Sequence, residues 1–513
     1  MKKTRLISIL LCLLALCCLF TSCNKNEPAD TTPNTTPEAA TTTRNRPTYT
    51  TPPIVTTAKE PKPEDMPSDG NILVGGVNVS SYTIIYGGSP LDEKAGSLTR
   101  KTIGEDLAPY LQGEEKAADF DYQCAVRLQQ LIKEYFGVDV EIAKDDDVKN
   151  PSRYEILVGD TNRLGSIRAK SALKNLPENY LCGPNDATAN LSTQYVICGG
   201  SYGATWHAID ALEAHFEANK TAEKVDIADV DVEAKCELTF IACIGDSITR
   251  GSQALPQLPH YGDEDNVTEA WGTSATTVYF EQYLSYPATL QRELWKDAIV
   301  YNFGRGASTA RNYEGKESQY YAGSAQFTKC LATSNLNTVD FDIVFLMHGT
   351  NDAGYDGGAA NWDNAKKNDF LLEIKNQMDK ILEGSPNATF VMNNAPHRCD
   401  GDAPKEHDTA IRDLQKDVAV LLKEEGYNVY HYDMEAFTTE NLRSADSCGA
   451  DSMGEYKAHE GFYNIYFKGN NLFVDDKTHP NYAGYGKMAE GLIDVVDYLV
   501  NGAEAPEYMI NIG

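Results

Sequence analysis

Phe240-Ile-Ala-Cys-Ile-Gly-Asp-Ser247 decides how this chain is read: an apolar run of strand length stops abruptly on Gly245, Asp246 and Ser247. A strand apolar at every position is buried on both faces, as strands of parallel sheets are. The same pattern repeats outward from it. A helix pattern from Tyr286 to Lys296 leads to a strand from Ile299 to Phe303. Strand Phe341 to Met347, helix Trp362 to Leu382 and strand Ala388 to Asn393 follow. Helix Glu406 to Glu425, strand Tyr427 to Tyr432 and a closing helix Tyr482 to Val500 complete the series. Five strands separated by helices predict a parallel sheet covered on both faces, with reactive groups at the carboxyl ends of its strands.

The polar residues fall at those ends. Gly245-Asp246-Ser247 closes the first strand, Asn302-Phe-Gly-Arg-Gly306 the second and His348-Gly-Thr-Asn351-Asp352 the third, while Asp476-Lys-Thr-His479-Pro480 opens the last helix. Each is common alone. In this order they resemble the four sequence blocks of the SGNH (GDSL) hydrolases: G-D-S, N-x-G, G-x-N-D and D-x-x-H. The resemblance covers nearly all of 238–500. It implies a three-layer α/β/α, flavodoxin-like hydrolase domain, placed here at 236–513, acting as a carboxylic ester hydrolase of the acetylesterase kind.

The chemistry explains the residue types. A serine hydroxyl is a weak nucleophile unless a neighbouring base takes its proton, which is the role the resemblance gives to Ser247 and His479. Asp476, three residues before the histidine, would hold the imidazole tautomer and stabilise the imidazolium. Pro480 at an early helical position suits that turn. The oxyanion of the tetrahedral intermediate would be met by the Ser247 N–H, the Asn351 amide and a second-block N–H. That last donor is Gly306 or Ala307, because the family often reads N-x-G-x-x-G and this chain has Gly306-Ala307-Ser308. Asp246 reads as shaping its turn, Asp352 as supporting Asn351 by hydrogen bonds, and His348 as a satisfied core residue. His397 could line the pocket. Trp271, Tyr279, Tyr283 and Trp362 could stack on sugar rings, with ordinary packing as the plain alternative. The chemistry calls for no cofactor, and no metal-ligand spacing is present.

Ahead of this lies residues 70–235, another alternation: strands Tyr82 to Tyr86, Val138 to Ile142, Tyr154 to Val158 and Tyr195 to Cys198, with helices Asp121 to Phe136 and Ala204 to Asn219. That predicts a smaller α/β accessory domain. Glu155-Ile-Leu-Val-Gly-Asp-Thr-Asn-Arg163 and Cys198-Gly-Gly-Ser-Tyr-Gly-Ala204 resemble the non-catalytic α/β domain that precedes the catalytic domain in several glycoside hydrolase families. Gly199-Gly-Ser201-Tyr-Gly203 also fits G-x-S-x-G. Too little chain follows in that domain for a triad, and His207 and His215 lie on the very next helix, so a tight packing turn is the better reading.

Residues 1–22 carry Lys2, Lys3 and Arg5 before an apolar run from Leu6 to Phe20, the form of an export signal too short to span a bilayer comfortably. Thr21-Ser22-Cys23 resembles a bacterial lipobox, which implies lipidation at Cys23, although Phe20 stands where the family prefers Leu. The chain is thus expected to be exported and held at the cell surface, touching membrane only through that anchor. A Thr/Pro-rich linker, 23–69, cannot bury a core and could reach on the order of 100 Å when extended. The net charge is −30 and becomes more negative once Lys2, Lys3 and Arg5 are cleaved away. Such a surface repels nucleic acid and suits a neutral substrate; simple solubility explains it equally well. Export permits disulfides, with Cys399 and Cys448 as one candidate pair, and Cys198 and Cys243 read as buried free thiols.

The leading reading is hydrolysis of small acyl esters, acetyl above all, on an acylated carbohydrate. A lipase or lysophospholipase of the same fold is one alternative. A non-catalytic glycan-binding surface lipoprotein is another, from a different class.

Overall fold

The computed structural model describes residues 71–87, 120–174, 176–185, 193–251, 285–304, 308–311, 313, 339–396, 405–442, 479–480 and 482–510. Residues 61–513 make one compact unit. Among the described residues it contains two six-stranded sheets and a three-stranded one.

The first half begins with β1 (Ile72–Val74), β2 (Val77–Asn78) and β3 (Thr83–Tyr86), then helix α1 (Phe120–Phe136). Strands β4 (Glu141–Lys144) and β5 (Glu155–Val158), helix α2 (Leu164–Ala172), and strands β6 (Asn179–Pro184) and β7 (Tyr195–Gly199) follow. Helix α3 (Tyr202–Asn219) and strands β8 (Val225–Asp226) and β9 (Val232–Lys235) end it. The sheet order is β4-β3-β5-β7-β6-β9, parallel except that β6 runs antiparallel to both β7 and β9. Leu128 and Ile132 of α1 and Ile209, Leu212 and Phe216 of α3 close one face. Ala169 and Leu173 cover Ile85, Leu157 and Val196 on the other.

The second half holds β10 (Thr239–Gly245), helix α4 (Ser247–Arg250), helix α5 (Tyr286–Glu293), β11 (Ala298–Gly304), β12 (Ile343–Met347) and helix α6 (Asn364–Leu382). After these come β13 (Thr389–Asn393), α7 (Lys405–Glu424), β14 (Val429–Tyr432), α8 (Met434–Leu442), α9 (Tyr482–Asn501) and β15 (Met509–Ile510). Five parallel strands run in the order β11-β10-β12-β13-β14, and β15 adds an antiparallel edge. Numbered by their appearance in this sheet, the five read 2-1-3-4-5, the flavodoxin-like order. Strand pleating sends Phe240, Ala242 and Ile244 toward α6 and α7, while Ile241 and Cys243 face α5 and α9. The result is the three-layer sandwich that the apolar runs demanded.

The halves meet at Trp295. It follows α5 in sequence yet packs in the core of the first half, its ring stacked on Phe120 at 4.7 Å and edge-on to Trp206 at 5.3 Å. Gly203 makes room for the backbone carbonyls of Trp295 and Lys296, where any Cβ would press on both.

Candidate active site

In a 2-1-3-4-5 sheet the chain reverses direction between the first and third strands, and a crevice opens at their carboxyl ends. Here those strands are β10 and β12, which deliver Ser247 and Asn351. Ser247 starts the four-residue helix α4, and Asp246 caps it by accepting from the Ile248 N–H at 2.9 Å. Gly251, at φ +88°, ends the turn in a left-handed conformation that glycine adopts without strain. Gly304 is required for a different reason: a Cβ there would collide with the backbone of Thr249 and Arg250. That glycine of Asn302-Phe-Gly304 therefore lets β11 close against the Ser247 turn, while Asn302 Oδ1 accepts from its N–H at 2.8 Å.

His479 Nε2 lies 2.7 Å from Ser247 Oγ, and both side chains are half-buried. Asp476, the expected orienting carboxylate, lies outside the described residues, as do Gly306, Ala307 and Cys23. Asn351 is described: its Nδ2 donates to the Ser308 carbonyl at 2.9 Å, and the Ser308 hydroxyl donates to the Gly245 carbonyl at 3.0 Å. An amide nitrogen carries two hydrogens, so one remains for another acceptor. Asp352 accepts from the N–H groups of Ala310 (2.9 Å) and Arg311 (3.0 Å) and from the Tyr313 hydroxyl (2.9 Å). Its hydrogen bonds thus go to the 310–313 stretch and not, as the sequence had suggested, directly to Asn351; the Asn351 amide is held by the Ser308 carbonyl instead. Ser308, Arg311 and Tyr313 carried no signal in the sequence that set them apart.

The buried charges are tuned by their surroundings. Asp246 is fully buried, and desolvation pushes its carboxyl up to about 6 despite the Ile248 N–H, the nearby charge of His479 and the Thr350 hydroxyl, which pull the other way. Burial likewise raises Asp352, against the pull of its three donors and the Arg311 charge. His348 is a core residue: desolvation brings its imidazole down to about 4, and Nε2 sits 3.2 Å from Gln377 Oε1. It is neutral at pH 7, and its buried Nδ1 has no hydrogen-bond partner among the described residues, so it is a core residue but not a fully satisfied one.

Other residues singled out in the sequence fall as follows. Ser201 Oγ caps α3 by accepting from the Ala204 N–H at 3.1 Å, so the G-x-S-x-G stretch is a packing turn. His207 pairs with Asp210 at 2.7 Å, and His215 Nε2 lies 3.2 Å from the Asp226 carbonyl. Trp362 is buried beneath the Arg311 guanidinium, 4.6 Å from the ring centre, which removes it as a sugar platform. Cys198 and Cys243 are buried free thiols, and burial pushes Cys198 up to about 12. Trp271, Tyr279, Tyr283, His397, Cys399 and Cys448 lie outside the described residues. Among the described residues no group of three or more His, Cys, Asp or Glu side chains is arranged to hold a metal, and no helix is long and apolar enough to cross a membrane.

A hydroxyl hydrogen-bonded to an imidazole at the carboxyl ends of a parallel sheet's strands is an arrangement suited to acyl transfer. Fold and sequence together define the class: the protein is a carboxylic ester hydrolase. Residues 241–492 match the family model described as GDSL-like Lipase/Acylhydrolase, just under half of the chain. No curated protein matches. Among solved structures, an aryl esterase of M. smegmatis is 18% identical, with 51% of this chain and 100% of that one covered at a TM-score of 0.32. A family two carbohydrate esterase from Clostridium thermocellum, in complex with cellohexaose, is 19% identical over 53% of this chain and 68% of that one, at a TM-score of 0.31. A carbohydrate acetylesterase family member from Sinorhizobium meliloti is 15% identical over 52% of this chain and 100% of that one, at 0.32. Likeness at this level transfers neither substrate nor residue roles.

Proposed function

We propose that the protein is a serine esterase that removes small acyl groups, acetyl above all, from carbohydrate, with Ser247, His479 and Asp476 as its triad. The observation that carries this reading is the 2.7 Å contact between His479 Nε2 and Ser247 Oγ. Ser247 Oγ attacks the acyl carbonyl as its proton passes to His479 Nε2. Negative charge on the former carbonyl oxygen is met by the Ser247 N–H, the free hydrogen of the Asn351 amide and the N–H of Gly306 or Ala307. The intermediate collapses when His479 returns the proton to the departing sugar oxygen. Water, deprotonated by the same imidazole, then splits the acyl-enzyme and releases the carboxylate. Asp476 holds the imidazole through its other nitrogen.

Within this reading, residues 70–235 form an accessory domain and 236–513 the hydrolase domain. The 1–22 segment exports the chain, Cys23 bears the lipid, and the 23–69 linker spaces the folded part from the membrane. The test is acetate release from acetylated xylan, run beside fatty-acid release from a lysophospholipid. Acetate release that falls at least ~10³-fold in Ser247→Ala is the expected result. Undiminished turnover in that variant overturns the reading, and release of fatty acid alone replaces the carbohydrate substrate with a lipid.

A further inference from the structure

Asp352 has no exposed surface and opens a single 3-10 turn, Asp352–Gly354, immediately after Asn351. A carboxylate so placed is a poor contributor to stability, since an apolar residue of similar volume would avoid its desolvation cost. What a carboxylate offers is two acceptor oxygens in fixed directions. Oδ2 takes the Ala310 N–H, and Oδ1 takes both the Arg311 N–H and the Tyr313 hydroxyl.

All three donors belong to one stretch, and that stretch is fastened elsewhere too. Its Ser308 carbonyl accepts from Asn351 Nδ2, and its Ser308 hydroxyl reaches the Gly245 carbonyl, two residues before the nucleophile. The Arg311 guanidinium lies 4.9 Å from the Tyr313 ring and 4.6 Å from the Trp362 ring, and pairs with Asp356 at 3.2 Å. The segment is thus a strap between the end of β10 and the loop after β12, and its main fastening to that loop is Asp352. The Asn351 side chain is aimed by the strap, because its amide is held on the Ser308 carbonyl.

We propose that Asp352 is a positioning residue for ester hydrolysis: by gripping Ala310, Arg311 and Tyr313 it fixes the strap that orients the Asn351 amide toward the oxyanion. The inference rests on the proposed role of Asn351 as an oxyanion donor. A donor is useful only within hydrogen-bond reach of where charge develops, so a small shift of the strap lowers kcat without loosening substrate binding.

The test is a pair of double-mutant cycles in the full chain, read as kcat and KM on p-nitrophenyl acetate. Asn351→Ala is expected to lower kcat by ~10²-fold or more, the scale of one lost oxyanion donor. Asp352→Asn turns one acceptor into an amide facing an N–H, and should lower kcat by roughly ten-fold or more with KM within about two-fold. Combined with Asn351→Ala it should cost nothing further, because its effect runs through the amide already removed. Tyr313→Phe takes away one donor and keeps the ring, so its smaller loss should vanish in the Asn351→Ala background as well. It keeps the test open should Asp352→Asn not fold. Additive losses in the cycles overturn the inference, as does undiminished kcat in Asn351→Ala or in both strap variants. Ser247→Ala, assayed alongside, separates the two levels: if it is inactive while the cycles are additive, the positioning role alone falls; if it stays active, the serine esterase itself falls.

Discussion

His479 Nε2 and Ser247 Oγ stand 2.7 Å apart across 232 residues of sequence. If the pair passes one proton, as proposed, it should fail as a unit. His479→Ala is therefore expected to lose at least ~10³ in kcat/KM, and the Ser247→Ala/His479→Ala double variant should be scarcely worse than either single. Steady-state kinetics on p-nitrophenyl acetate, with melting temperatures to show that all three fold, decide it. Losses that multiply in the double variant would show that the two side chains act independently.

How far this arrangement could be read from the sequence depends on whether its signals were local. Ser247 and His479 were legible because each sits in a short motif beside a regular element, Ser247 at the end of an apolar strand and His479 just ahead of the last helix. The partners of Asp352 were not, since Tyr313 is 39 residues away and nothing around it marks its hydroxyl for a carboxylate. Strand ends drifted where apolar residues continue past the ladder. Phe341, read as strand, sits before β12 because its N–H is taken by Ser385 Oγ at 2.8 Å. Tyr427, likewise read as strand, closes the end of α7, donating its N–H to the Leu422 carbonyl. The antiparallel strand β6 was hidden because Gly183 and Pro184 look like breakers, although Gly183 fits where a Cβ would press on Asp231. Helix α2 was missed for want of a marked apolar stripe: of its residues only Gly165, Ser166 and Ala169 are buried.

Asp246 carries the clearest pH signature. Its carboxyl sits at about 6 in the folded protein against 3.8 for the ordinary group, because burial disfavours the charge. Between those values the folded chain holds a proton that the unfolded chain has released. This contribution to stability is thus present at low pH and lost as pH rises through about 6, by about 3 kcal/mol. Asp246→Asn keeps an acceptor for the Ile248 N–H and discards the charge. Its melting temperature at pH 7 to 8 should match or exceed that of the parent, with the advantage shrinking as pH falls below 6. A variant less stable at pH 8 than the parent would refute this account.

Gly304→Ala should damage both folding and catalysis. The added methyl would meet backbone atoms of Thr249 and Arg250, which cannot swing aside as a side chain would. Overpacking of this kind costs roughly 1 to 3 kcal/mol, and the strain falls directly on the turn that presents Ser247. Activity should drop further than the fraction unfolded explains. Comparing turnover with circular dichroism at 25 °C measures this, and full activity in a stably folded variant would mean that the turn yields more readily than the packing implies.

Trp295 gives a prediction about the whole folded unit. Its ring lies 5% exposed among residues of the first half, against Phe120 and Trp206, while its backbone belongs to the chain that leads into β11. The Trp206 ring it abuts is also approached by Lys296 at 4.1 Å and Arg127 at 4.4 Å, which shield the seam from water. Truncating a buried tryptophan costs about 3 to 5 kcal/mol. More tellingly, it should split one cooperative unfolding transition into two, because a large buried apolar tie between the two halves is gone. Calorimetry of Trp295→Ala is expected to show a lower first transition and a separate second one. A single transition, merely shifted to lower temperature, would mean that the remaining contacts suffice to couple the two halves.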